Sequence, residues 1–254
     1  MMAEGEPEVR DHFSRDPRAY AAFRPHYPPE LFLWLAGLVT RHDLAWDCAT
    51  GNGQAAVGLA EHFLRVVATD SSAAQVSAAK PDPRIEYRVA PAHASDLAPD
   101  TVDLVTVAQA LHWIEPESFY REARRVAAPR AAIAAWTYGS PEVEPGVDRV
   151  LQGFYRETVG PFWPAERRHV ETGYADLPFP FEPIPAPEFA IEAGLTLPAM
   201  LGYVGTWSAT RRYIETRGED PVPALGQALA PHWGPPDRVR AVRWPLSVLA
   251  GRLD

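Results

Sequence analysis

Short apolar runs alternate with amphipathic stretches between residues 44 and 137, and this alternation predicts a parallel β-sheet covered by helices on both faces. Between the predicted strands, apolar residues recur at helical spacing, and one of these stretches begins with a proline suited to a first helical turn. Such a βα repeat is typical of a doubly wound α/β fold. The predicted strands are LAWDC, RVVATD, IEYRVA, VDLVTVAQ and AAIAAWTY, and the predicted helices are QAAVGLAEHF, AAQVSAAK and PESFYREARRVA.

The alternation ends after Gly139, where proline and aromatic residues become frequent. Because Trp and Phe interrupt the prolines throughout, this part is expected to fold rather than to form a disordered linker. Residues 195–237 predict helices, and the late run RVRAVRWPLSVLAG predicts a strand that returns to the sheet. We expect one domain over residues 1–254, made of an N-terminal helical lid (1–40), a βα core (41–140) and a substrate-side region (141–254) whose helical cap spans about 195–237.

Composition limits the partners of this chain. With 254 residues, 46% hydrophobic and 11% aromatic, it can fill a sizeable core. Its 33 acidic and 24 basic residues leave a net charge of -9, which disfavours a nucleic-acid backbone as the main partner. No run approaches the roughly 18 apolar residues of a membrane span, and no signal segment is recognised, so a soluble cytoplasmic protein is expected.

The sequence offers few residues for a metal site or a disulfide bond. Cys48 is the single cysteine, which permits neither an internal disulfide nor a thiolate metal site. His169 and His232 stand alone among prolines and charged residues. We therefore expect no metal site.

The stretch WDCATGNGQAA, residues 46–56, predicts a nucleotide-binding turn between a strand and a helix. Gly51-x-Gly53-x-x-Ala56 satisfies the relaxed dinucleotide pattern, whereas Asp47-x-Ala49-x-Gly51-x-Gly53 is the spacing of an S-adenosylmethionine loop. An acid before the turn is awkward for a pyrophosphate but suits a cofactor with an amino group and a sulfonium, directly or through water. Asp70, 23 residues after Asp47, ends the next strand and suits the ribose hydroxyls of either nucleotide.

These segments resemble the class I S-adenosylmethionine-dependent methyltransferases, in particular the bacterial type 11 group related to trans-aconitate methyltransferase. The resemblance covers most of the chain and implies a Rossmann-like, mainly parallel seven-stranded sheet with a helical cap inserted before the last strand. One departure is Ala49, where the family usually has a glycine. Alanine is tolerable there if it keeps an ordinary negative φ. The segments that carry the resemblance are WDCATGNGQAA, VVATDSS, RVAPAHASDLAPDTVDLVTVAQALHW and FSRDPRAYAAFRPHYPPELF.

The resemblance also implies a cofactor site for S-adenosylmethionine, whose product is S-adenosylhomocysteine. Gly51 and Gly53 would contact the methionine arm and Asp70 the ribose. Gln109 would lie beside the sulfonium. The other implied contacts are Asp47, Ala49, Ser71, Ala92 and His93, with Tyr20 and Arg24 closing over the cofactor from the N-terminal segment.

Several of these residues have an ordinary structural explanation as well. Arg24 is equally suited to a surface salt bridge, and His93 to a solvated loop. Ser71 would serve as a helix cap and Gln109 as a strand-end packing residue.

Methyl transfer needs alignment of the acceptor more than a dedicated catalytic triad. His112 is the best-placed proton acceptor, since QALHW leaves the fourth strand toward the methyl group. A structural hydrogen bond, or orientation of Trp113, is nevertheless favoured over a catalytic role for His112. Trp113 itself is a candidate substrate contact.

The predicted cap offers an aromatic wall for a small-molecule acceptor. Tyr203 and Trp207 are four residues apart, and Arg211 follows one turn later. An arginine there suits an anionic acceptor such as a carboxylate, although aromatic residues at this spacing more often form a core. Two other function classes stay open: an NAD(P)-dependent oxidoreductase and a non-catalytic S-adenosylmethionine-binding protein. The chain is expected to act as a monomer or homodimer.

Overall fold

Eight strands form one mixed sheet at the centre of this computed structural model, which describes residues 26–253. The five strands predicted between residues 44 and 137 are all present, and the late strand is present too. In chain order the strands are β1 Leu44–Cys48, β2 Arg65–Asp70, β3 Ile85–Val89, β4 Val102–Ala108, β5 Ala127–Tyr138, β6 Glu182–Pro183, β7 Phe189–Leu195 and β8 Arg240–Leu253.

The sheet order is β3-β2-β1-β4-β5-β8-β6, with β7 also paired to β8. The first five strands run parallel, and β8 pairs antiparallel with β5, β6 and β7. The chain reverses its direction of winding between β1 and β4, the place where doubly wound folds bind ligands at the carboxyl ends of their strands. The predicted fold class is confirmed, with eight strands rather than seven because the two-residue β6 extends the edge.

Helices cover both faces of the parallel strands. On one face Leu31 and Leu35 join Leu59 in a buried cluster, and on the other Phe119 and Ala123 fill the space above the strands. Because both faces are covered, the strands are apolar without alternation, as the sequence indicated. The helices of this part are α1 Pro29–Gly37, α2 Gln54–Leu59, α3 Ala73–Ser77 and α4 Pro116–Val126.

The cap has its own apolar core, to which Met200, Leu229 and Trp233 contribute buried side chains. Its helices lie between β7 and β8, as predicted for helices inserted before the last strand. Within residues 26–253, no helix combines the length and apolar character needed to cross a bilayer. The helices after β5 are α5 Pro145–Gly153, α6 Arg167–Glu171, α7 Leu197–Gly205, α8 Ser208–Arg217 and α9 Val222–Trp233.

Candidate functional site

The turn after β1 places three residues in the left-handed region of backbone conformation. Ala49 has a φ of 54°, Gly51 of 58° and Gly53 of 86°. The condition under which alanine would be tolerable here, an ordinary negative φ, is therefore not met. The Thr50 amide donates to the Thr69 carbonyl at 2.9 Å, which ties the turn to β2 immediately after Ala49. Left-handed backbone is strained for alanine and unstrained for glycine.

The two glycines of this turn have different surroundings. A Cβ atom at Gly53 would lie 2.4 Å from the Tyr87 hydroxyl oxygen, so a side chain there would collide with β3. At Gly51 the same atom would lie 3.9 Å from the Gln75 side chain and would meet no other atom of residues 26–253 within 4 Å. Gly53 thus permits close packing inside the fold, whereas Gly51 leaves open space beside the turn.

Asp70 connects the ends of β1 and β2. Its Oδ2 accepts a hydrogen bond from the Gly51 amide and its Oδ1 one from the Ser72 amide, both at 2.8 Å. The hydroxyl of Ser72 accepts from the Gln75 amide and caps α3. The helix cap is therefore Ser72 and not Ser71, which is exposed beside Asp70.

Asp47 is fully buried beneath the turn. Its carboxylate accepts hydrogen bonds from the Thr50 hydroxyl at 2.5 Å and the Thr106 hydroxyl at 2.9 Å, so it braces the turn against β4. Burial raises the pKa of Asp47 to about 6, and the threonine hydroxyls oppose that rise by stabilising the ionised form. This carboxyl therefore ionises just below neutral pH.

The remaining predicted cofactor residues flank the same edge of the sheet. Ala92 and His93 follow β3, with Ala92 half-buried and His93 exposed. Tyr20 and Arg24 lie outside the described residues.

Gln109 follows β4 in a left-handed conformation with a φ of 56°. Its Nε2 donates to the Tyr138 carbonyl at 3.1 Å, and its Oε1 accepts from the Thr137 hydroxyl. These bonds attach its amide to the end of β5. The side chain is therefore held in one orientation at the junction of the two strands.

His112 is half-buried in the short helical turn after β4. Its Nδ1 lies 3.0 Å from the Tyr174 hydroxyl oxygen, and its ring lies 4.8 Å from the Trp113 ring centre to centre. Burial and, secondarily, the positive charge of Arg167 lower the pKa of His112 to about 3. The imidazole is therefore neutral at physiological pH.

A small cavity of about 70 Å³ opens between the carboxyl ends of β4 and β5 and the cap. Trp113, Tyr203 and Trp207 were predicted as acceptor contacts, and all three line it. Arg211 does not, although its amide bonds the Trp207 carbonyl one turn earlier in α8. The sheet side is formed by Gln109, His112, Trp113, Tyr138 and Gly139, and the opposite side by Trp163, Pro164, Arg167, Tyr203, Trp207 and Ser208.

Comparison with known proteins identifies the family of the chain. A family model described as a methyltransferase domain matches residues 46–135, from β1 into β5. A Dictyostelium discoideum protein named as a methyltransferase is 31% identical over 223 residues, which cover 86% of this chain and 85% of that protein. A solved structure from Anaeromyxobacter dehalogenans, described as a type II methyltransferase, is 45% identical with a TM-score of 0.86, and the match covers 91% of this chain and 98% of that one.

A Saccharomyces cerevisiae protein named as an S-adenosylmethionine-dependent methyltransferase is 30% identical over 135 residues, covering 48% of this chain and 45% of that protein. The chain belongs to the S-adenosylmethionine-dependent methyltransferases. The cofactor is therefore S-adenosylmethionine rather than NAD(P), and the oxidoreductase interpretation is wrong.

Six cavity residues of this methyltransferase were missed by the sequence analysis: Tyr138, Gly139, Trp163, Pro164, Arg167 and Ser208. Trp163 and Arg167 come from the proline-rich stretch after β5, where the indole lies under the guanidinium at 4.6 Å. GPFWPAERRHV offered a signal, since an aromatic residue and an arginine four apart lie on one face of a helical turn. The position of Trp163 and Arg167 opposite Gln109, however, depends on how this segment folds back over the sheet.

Tyr203 and Trp207 combine packing with cavity lining. Tyr203 is 2% exposed and its hydroxyl oxygen accepts from the Trp244 indole N–H at 3.0 Å. Trp207 is 4% exposed and its ring lies within 6 Å of the rings of Tyr155, Trp163 and Tyr203. The core interpretation and the acceptor-wall interpretation are therefore compatible in this methyltransferase.

Proposed function

We propose that this methyltransferase transfers a methyl group from S-adenosylmethionine to a small molecule bound in the cavity between the sheet and the cap. The observation that carries the proposal is the position of Gln109 and His112. Both follow β4, which is the neighbour of β1 and its glycine turn, and both line the cavity. A cofactor on the turn would thus lie next to the acceptor space.

The turn suits this cofactor in two respects. Gly51 leaves open space where a side chain would stand, so the backbone can approach the methionine arm. Asp70 presents a carboxylate at the end of β2, where it also accepts the Gly51 amide of the turn, and a carboxylate at a strand end suits the ribose hydroxyls. The sulfonium supplies the activated methyl group when the cofactor is bound.

The other cofactor contacts are assigned by their place on the same edge. Ser71 would flank the adenine from the end of β2, and Ala92 and His93 would approach it from the end of β3. Asp47 would act on the amino group from beneath the turn, through the turn or a water, because its own oxygens bond Thr50 and Thr106. Ala49 would contact the same arm, and Tyr20 and Arg24 of the N-terminal segment would close the site.

On the acceptor side, the neutral imidazole of His112 would orient an acceptor hydroxyl or amine by hydrogen bonding. A pKa of about 3 makes it a weak proton acceptor, so we assign His112 to positioning rather than to proton removal in a separate step. Trp113, Tyr203 and Trp207 would exclude water from the acceptor. A carboxylate-bearing acceptor is the finer form of the proposal, and the resemblance to trans-aconitate methyltransferase supports it.

The first test measures cofactor binding. S-adenosylhomocysteine should raise the melting temperature of the wild type, because a ligand that binds the folded state stabilises it. Asp70→Ala should weaken its Kd by roughly 10- to 150-fold, the equivalent of about 1.5–3 kcal/mol for hydrogen bonds to a charged group. Asp100→Asn, at the opposite edge of the sheet, is the matched control. Equal affinity of Asp70→Ala and wild type in calorimetry would place the ribose elsewhere.

The second test fills the acceptor cavity. Ser208→Trp should abolish S-adenosylhomocysteine release in an acceptor screen, because Ser208 lines the cavity and an indole would occupy it. Affinity for S-adenosylhomocysteine should stay near the wild-type value. Retained turnover in this variant would exclude the cavity as the acceptor site.

A further inference from the structure

Arg167 lies where the acceptor cavity meets an open groove on the surface. The groove and the cavity share Trp163, Pro164 and Arg167, so the guanidinium borders both spaces. Arg156 and Arg168 line the groove as well, and Glu171 is the carboxylate among the residues that form it. Three arginines against one glutamate make the groove locally cationic in a chain whose net charge is -9.

The guanidinium of Arg167 is held in place by aromatic side chains. Its Nε donates to the Tyr155 hydroxyl oxygen at 2.8 Å, and its central carbon lies 4.6 Å from the Trp163 ring centre and 5.5 Å from that of Tyr155. The Tyr155 hydroxyl in turn donates to Glu171 at 2.7 Å. Stacking and one hydrogen bond thus fix the plane of the guanidinium.

Among residues 26–253, the hydrogen bond of the Arg167 side chain is made by Nε, and its two terminal nitrogens have no partner. Within residues 26–253, no Asp or Glu oxygen lies within 4.0 Å of its guanidinium, whereas Arg65, Arg125 and Arg240 each form an ion pair. Its charge also reaches into the cavity, since it contributes to lowering the pKa of His112. An arginine that is oriented, half-buried and not paired with a carboxylate of residues 26–253 presents two parallel N–H donors to an oxyanion.

We propose that Arg167 binds a carboxylate of the methyl acceptor, and that the acceptor reaches the cavity along the arginine-lined groove. This inference rests on the proposed function and names the residue that recognises its acceptor, a small organic acid. The terminal Nη atoms would form the paired hydrogen bonds that a planar carboxylate accepts. Arg156 and Arg168 are exposed and would attract the anion toward the groove rather than bind it tightly.

The test compares acids with their neutral amides, which have nearly the same shape. Acetate and acetamide, benzoate and benzamide, and cinnamate and cinnamamide would be titrated into protein saturated with S-adenosylhomocysteine, with Kd measured by tryptophan fluorescence or calorimetry. We expect at least one acid to bind tenfold or more tightly than its amide. Arg167→Met should abolish that preference, and Arg167→Lys should restore only part of it. Arg121→Met removes an exposed arginine outside the groove and is the charge-matched control.

Two results would overturn the inference. In one, no acid binds wild type better than its amide. In the other, Arg167→Met still binds the acid more tightly than the amide, to the same extent as the control Arg121→Met. If S-adenosylhomocysteine still stabilises Arg167→Met, either result counts against this inference alone. Failure of the proposed function would instead appear as a wild type that S-adenosylhomocysteine does not stabilise.

Discussion

The left-handed conformation of Ala49 leads to a stability prediction that runs against the usual effect of glycine. Replacing alanine by glycine ordinarily destabilises a protein by roughly 0.5–1 kcal/mol, because glycine loses more backbone freedom on folding. At Ala49, however, the φ of 54° imposes a cost of about 1–2 kcal/mol on any side chain, and Ala49→Gly removes that cost.

Two losses offset this gain. The unfolded chain of the glycine variant has more entropy, which costs about 0.5–1 kcal/mol. The Ala49 methyl group is half-buried against the core under α4, and its removal forfeits about 0.4 kcal/mol, half the value of a fully buried methylene. The sum predicts that Ala49→Gly changes stability by between about -0.4 and about +1 kcal/mol, which is less destabilising than an ordinary alanine-to-glycine substitution.

The same substitution at a helical alanine provides the control. Ala74 is exposed in α3, so Ala74→Gly should lower the free energy of unfolding by about 1 kcal/mol. Urea unfolding of wild type and both variants, followed by circular dichroism, measures the contrast directly. If Ala49→Gly destabilises the protein as much as Ala74→Gly does, alanine at this position carries no backbone strain and the reasoning is refuted.

Two further predictions concern Asp47 and Trp207. Because the pKa of Asp47 is about 6 and the proposed cofactor carries an ammonium group, affinity for S-adenosylhomocysteine should be constant at higher pH and fall, by up to about tenfold per pH unit, as the pH drops below 6. Calorimetry between pH 5 and 8 checks this, and an equally steep fall in Asp47→Asn would contradict it. Trp207→Ala should cost roughly 3–5 kcal/mol of stability in urea unfolding, since the indole is 4% exposed among aromatic rings. Trp207→Phe should fold, bind S-adenosylhomocysteine normally and turn over more slowly, whereas full turnover would remove Trp207 from the acceptor wall.

Local patterns were sufficient for the nucleotide-binding half of the fold. Strands buried on both faces are continuous apolar runs, so β1, β2, β4 and β5 are visible in the sequence. Asp70 and the glycine turn could be grouped from the sequence as well. Each follows a predicted parallel strand, and parallel strands bring their carboxyl ends to one edge of the sheet. The strand β7 was missed because Phe189–Leu195 follows a proline-rich stretch and pairs with β8, whose partner residues are about 50 positions later.

The properties of individual site residues were decided by neighbours distant in the sequence. The pKa of Asp47 is raised by its burial under the sheet edge and is held back by the hydroxyl of Thr106 from β4. The neutral state of His112 depends on its burial beside Tyr174 and on the charge of Arg167.

Which arginine borders the cavity was also decided by residues distant in the sequence. Helical spacing favoured Arg211 because it follows Trp207, yet the arginine that borders the cavity is Arg167. The sequence by itself determined the βα core, the nucleotide turn and its acid, since these depend on contacts along a strand or across one turn. Only the tertiary structure decided the ionisation of Asp47 and His112, the orientation of Arg167 and the residues that line the cavity. These depend on which segments fold together over the edge of the sheet.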